Sequence, residues 1–213
     1  MKKITVQKNR GFTLVETLVA ITIFTVSILG MMSVLSKGIS DTNYAKRKLT
    51  AEYLAQEGIE FVRNVRDTYV LYSSTSAQAG WEGFKQKMLQ AQASCNDEDG
   101  NGVDSGCYFD DFRTDSGAYD MFASGVSQPI TRIWFAACPV SGCPELSYYP
   151  AVGRYTYLAS GIGTGTLSGF IRKIQIQTVP GSDEAKIFST VSWRQGSGTY
   201  SITFSENLFN WTE

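Results

Sequence analysis

A carboxylate inside an apolar run is the first residue of this chain that must do chemistry. In "KNRGFTLVETLVAITIFTV", Glu16 is the only ionisable side chain between Phe12 and Ser36. A single acid at the centre of a membrane helix costs on the order of 3 kcal/mol on insertion scales, so such residues have a partner or a function. Elsewhere reactive groups are sparse. The chain has no histidine, which excludes Ser-His-Asp and Cys-His catalysis and all His-ligated zinc. No nucleophile–base pair, phosphate loop or glycosidase-like carboxylate pair stands out, so an enzyme is not expected and no cofactor is required.

The remaining chemistry lies in the cysteines and the acidic string between two of them. The cysteines fall as Cys95 with Cys107 and Cys138 with Cys143. Four cysteines allow three pairings; the two local ones each close a short loop and are favoured. A zinc site of four thiolates has the right count but lacks the paired two-residue spacing. Between the first couple lies "NDEDGNGVDSG". Asp97, Asp99 and Asn101 occupy the first, third and fifth places of an EF-hand loop, Gly102 the sixth, and Val103 offers its carbonyl at the seventh. The twelfth place, where a bidentate glutamate belongs, is Tyr108; Asp104, Asp110 or Asp111 are substitutes if the loop folds differently. Ca2+ is thus a candidate ligand, weighed against a solvated acidic turn made of the same residue types.

Charge and hydropathy say what must position these residues. The chain has 213 residues, 43% hydrophobic and 18% charged, the size of one membrane-proximal segment plus one globular domain. Lys and Arg number 19 against 20 acids, but Lys2, Lys3, Lys8 and Arg10 crowd the first ten residues, so 15 cations face 20 acids over the rest. That balance argues against nucleic acid as the main partner. The run from Phe12 to Ser36 is about 25 residues, long enough to cross a bilayer as a helix. The basic flank places residues 1–11 in the cytoplasm and the C-terminal domain outside, where disulfides persist. A secretory signal would need a small-residue cleavage site, and "LGMMSVLSKG" offers only Ser33 and Ser36.

"RGFTLVETLVAI" resembles the class III signal of type IV pilins and pseudopilins: a short basic leader, Gly11, the aromatic Phe12, and Glu16 fifth in the mature chain. The resemblance implies cleavage between Gly11 and Phe12 by a prepilin peptidase, N-methylation of Phe12, and use of Glu16 in assembly, where it meets the Phe12 amine of a neighbouring subunit. It implies other pilin subunits and the pilus assembly platform as partners, and the membrane before assembly. The protein would reside first in the inner or cytoplasmic membrane as a single-pass chain, then in an extracellular pilus or a periplasmic pseudopilus. "AEYLAQEGIEFVRNVRD" and the closing "VSWRQGSGTYSITFSENLFNW" resemble PilV-like minor pilins in particular. A minor pilin is the first functional expectation. A pseudopilin of a type II secretion or competence system, or a filament-borne adhesin whose variable middle binds a ligand, remains the alternative.

The fold class expected is α+β, a long N-terminal helix packed on a C-terminal antiparallel sheet. The expected order is leader 1–11, transmembrane helix 12–36, amphipathic half 37–69, variable region 70–130 and sheet 131–213. Ala51, Leu54, Gly58, Phe61 and Val65 step by three and four, widened by Ala55 and Val62, while Glu52, Gln56, Glu60, Arg63 and Asp67 share the opposite face. No proline interrupts residues 12–70, leaving Gly30 and Gly38 as soft points. "WEGFKQKMLQAQ" reads as a short helix. Phe170, Ile174 and Ile176, then Ile187, Val191 and Trp193, then Tyr200, Ile202 and Phe204 alternate with polar neighbours. They predict a three-stranded meander over about 170–205, joined at "PGSDE" and "QGSG". "ITRIWFAA" and "RYTYLAS" read as further strands. Aromatics in "CYFDDFRTDSGAYDMF" are core or ligand platforms, with core favoured.

Overall fold

The computed structural model describes residues 11–89, 95–96, 106–110, 135–157, 164–178 and 182–210. The basic leader, the candidate calcium ligands Asp97, Asp99, Asn101 and Val103, and most of the variable region lie outside the described residues. The chain divides into two compact units, Met1–Lys46 and Arg47–Glu213.

In the first unit, helix α1 (Leu14–Leu71) begins, and every residue from 11 to 46 is exposed. No proline breaks the run, and the helix passes through Gly30 and Gly38, where an added Cβ would meet nothing. Four of its hydroxyls bond back to helix carbonyls. Thr17 donates to the Leu14 carbonyl, Thr22 to Val19, Thr25 to Thr22 and Ser27 to Ile23, at 2.8–2.9 Å. Back-bonding of this kind leaves the surface effectively apolar, as a bilayer requires.

In the second unit, α1 buries Ala51, Leu54, Ala55, Gly58, Ile59, Val62, Val65, Arg66 and Tyr69. The buried stripe follows the predicted period but takes in Ile59, while Phe61 lies at its margin with its ring stacked on Phe109 at 3.8 Å. Helix α2 (Ala77–Leu89) starts four residues before its apolar run because Ser76 caps it, its Oγ accepting the Ala79 N–H at 3.1 Å. It buries Trp81, Phe84 and Met88.

Among the described residues the sheet has seven strands: β1 (Cys107–Phe109), β2 (Phe135–Ala137), β3 (Glu145–Tyr149), β4 (Arg154–Thr156), β5 (Thr166–Thr178), β6 (Glu184–Gln195) and β7 (Gly198–Phe209). The meander β5–β6–β7 is antiparallel throughout, and β6 pairs with β7 over twelve consecutive positions. It turns at Gly196, whose φ of 58° is what a tight hairpin demands of the residue after Gln195. The other edge of β5 pairs with β3 over its first half and with β1 at Ile174. β1 therefore joins the sheet from inside the region expected to be variable. The reason is covalent as well as hydrogen-bonded, since Cys107 is disulfide-linked to Cys95. Alternation puts Phe170, Ile174, Ile176, Ile187, Val191 and Trp193 into the core against α1 and α2. Full burial of each of these side chains is worth about 1.5–3 kcal/mol.

Candidate functional site

Two places carry polar chemistry that packing alone does not explain. One is the start of α1; the other is the seat of its C-terminal half on the sheet.

At the start of α1, Thr13 is the N-cap: its Oγ1 accepts the Glu16 N–H at 3.3 Å, and its carbonyl accepts the Thr17 N–H at 3.2 Å. Thr13-Leu14-Val15-Glu16 is a capping-box sequence, with Glu16 in the third helical position where the helix dipole favours an acid. Local chemistry therefore gives Glu16 a place in the cap of α1, and the S/T-x-x-E pattern that signals it stands in the sequence. Among the described residues Glu16 meets no cation. Gly11 and Phe12 precede the helix, and Phe12 is exposed.

The seat is built on Glu57 and Gly58. Gly58 faces β6 and β5; a Cβ there would run into Ser189 Oγ and the Ile174 side chain. Glycine leaves room at this point for the Ser189 and Ile174 side chains, which a larger residue would have to displace. One residue earlier, Glu57 Oε2 accepts from Arg172 Nη1 at 2.8 Å. Arg172 is buried on the core face of β5, its guanidinium 3.9 Å above the Phe109 ring, while Glu57 keeps part of its carboxylate in solvent. A buried guanidinium is tolerated because its charge is paired and its flat face lies on an aromatic one. Tyr157 donates to the Arg172 carbonyl at 3.3 Å, and burial pushes its phenol up to about 12. Further along the helix, Arg63 bridges Glu60 at 2.8 Å and Glu206 of β7 at 2.6 Å. Arg66 donates to the Phe209 carbonyl at 2.9 Å.

Both disulfides are local, Cys95–Cys107 and Cys138–Cys143. Cys95 and Cys107 are fully buried on β5: the Cys95 carbonyl accepts the Ile176 N–H at 2.8 Å, and Cys107 pairs with Ile174. The two ends of the acidic string are thus held at one point of the sheet, with Cα atoms 4.6 Å apart. Among the described residues no cluster of three metal-binding side chains occurs.

A long N-terminal helix, apolar and long enough to cross a membrane, together with a C-terminal antiparallel sheet, gives an α+β, pilin-like arrangement. Residues 6–32 match the family described as the prokaryotic N-terminal methylation motif, the class III prepilin signal. The match spans 27 of the 213 residues and supports a type IV pilin-like protein that carries a prepilin-type signal. No curated protein and no solved structure gives a significant match.

Proposed function

We propose that the protein is a minor pilin, a structural subunit of a type IV pilus. The observation that carries this reading is the prepilin signal running directly into an exposed apolar segment of α1, residues 12–36, with Glu16 as its single charge. Cleavage between Gly11 and Phe12 would free an amine at the depth of Glu16, and methylation of Phe12 would follow. In the assembled filament the amine of one subunit neutralises Glu16 of the next, so the cost of an acid in hydrocarbon is relieved only on correct docking. Before assembly the basic leader holds residues 1–11 in the cytoplasm and the sheet domain lies outside. The resemblance of residues 51–67 to PilV-like minor pilins favours a minor over a major subunit. A secretion or competence pseudopilin would share the signal and helix, and an adhesin would add a ligand to the variable middle.

The capping box makes a sharp test available. Gln fills the third helical position of a capping box as Glu does, but it cannot neutralise an amine. Glu16→Gln should be cut and methylated normally and disappear from sheared filaments while accumulating in membranes. Retention of Glu16→Gln in filaments at the wild-type level would reduce Glu16 to a cap and remove the assembly role. The amount of wild-type protein in the same sheared fraction separates a minor pilin, present in traces, from a major one.

A further inference from the structure

An open cleft of about 420 Å³ lies between α1 and the β3–β4 hairpin. Small-molecule sites ordinarily fall in the range of about 300–1,000 Å³. The helix wall carries Tyr53 and Glu57, four residues apart on one side of α1, and the buried Leu54 lines it too. The other wall is Gly153, Arg154 and Tyr155, where the hairpin turns into β4. Both walls are held from behind. The Tyr155 ring meets Phe170 edge-on at 6.0 Å and lies 5.0 Å from Tyr148, and the turn is closed by the Gly153 N–H donating to the Tyr149 carbonyl at 2.9 Å. Gly153, at a φ of 67°, leaves open space where a side chain would stand. Tyr53 is different in kind, a large ring that is 65% exposed and lies outside the core.

We propose that this cleft binds a neutral sugar. Charge selects that class. Glu57 Oε2 accepts from Arg172 at 2.8 Å, so its charge is already compensated, yet its side chain is 43% exposed and keeps acceptor capacity toward the cleft. A compensated carboxylate attracts an ammonium group weakly but still accepts from hydroxyls. Arg154 supplies donors from the opposite wall, and a guanidinium has five N–H groups in a fixed fork, enough to serve a ligand beside a protein partner. An acceptor on one wall and a donor on the other suit the adjacent hydroxyls of a pyranose. The face of a phenol ring carries negative potential that attracts the polarised C–H groups on the flat side of such a sugar, and Tyr53 presents that face outside the core. Because packing and the Glu57–Arg172 pair already fix the walls, binding imposes little further order. The cleft shares no residue with the prepilin signal, so the inference stands whichever filament the chain joins.

The test uses the full chain in a polyoxyethylene detergent, whose headgroup carries neither sugar nor charge. Saturation-transfer NMR with glucose, galactose, mannose and N-acetylglucosamine should show at least one of them bound, with titration giving a Kd in the millimolar range. Sialic acid, glutamate and choline should give no transfer. Tyr53→Ala and Arg154→Gln, both at exposed positions, should each weaken the bound sugar by about tenfold at an unchanged thermal midpoint. Ser201→Ala, exposed on β7, should bind as the wild type does. No binding of any of the four sugars, undiminished binding by both variants, or binding of a charged probe as strongly as the sugars would overturn the inference. A loss of binding that tracks a fallen midpoint in both variants would overturn it too.

Discussion

At Gly58 two demands on one residue oppose each other. In an isolated helix, alanine is favoured over glycine by about 1 kcal/mol. In the folded protein the alanine methyl would strike Ser189 Oγ and Ile174, and overpacking of that kind costs about 1–3 kcal/mol. Gly58→Ala should therefore destabilise the protein, read as a fall in thermal midpoint, while raising helicity in a peptide of residues 47–71. An increase in midpoint would mean that the seat is looser than described. The neighbouring pair Glu57–Arg172 was half legible. Arg172 falls on the same strand parity as Phe170, Ile174 and Ile176, and a charge on a core parity calls for a partner on the covering element. The strand alternation was visible in the sequence, but the partner's identity depends on the register of α1 against the sheet, which no local pattern encodes. Thr13 is the opposite case: its capping role follows from residue types alone.

At the scale of elements, the Cys95–Cys107 disulfide is what brings β1 into the sheet. Three residues paired at one position of β5 make a weak strand, and the covalent link to Cys95, itself hydrogen-bonded to Ile176, compensates for the short ladder. Replacing both cysteines by serine should lower stability by about 2–4 kcal/mol and increase hydrogen exchange at Ile174 and Ile176 ahead of the β6–β7 hairpin. Unchanged exchange there would show that β1 docks without the staple. The same clamp bears on the acidic string Asp97–Val103. We propose that the string takes calcium, its ends being already fixed. Calorimetric titration of the full chain in detergent should then show heat in the millimolar range or below, about the affinity of extracellular calcium modules. The absence of heat would return the string to a solvated turn. The amphipathic half of α1 and the three long strands were readable because their periods of 3.6 and 2 persist over many residues. β1 was not, because a three-residue strand is shorter than any periodicity can register, and its place is set by a bond between distant residues.

At the scale of the whole chain, the two compact units differ in how they treat their apolar side chains. Residues 11–46 are exposed throughout, and those from Arg47 onward build a core around Trp81, Phe84, Phe109 and Ile174. This division was legible as a change from continuous to periodic hydrophobicity, and the class of protein was legible in the four features of the signal: basic leader, Gly11, Phe12 and Glu16. What periodicity could not supply is the role of the variable middle, whose residues carry neither a repeat nor a known motif beyond the acidic string. The account rests on processing at Gly11, and the N-terminal peptide from sheared surface filaments of the native host tests it most directly by mass spectrometry. The account predicts a peptide beginning at N-methylated Phe12. An intact leader in that fraction, or an N-terminus beyond Ser36, would contradict it and make the apolar segment an ordinary anchor or secretory signal.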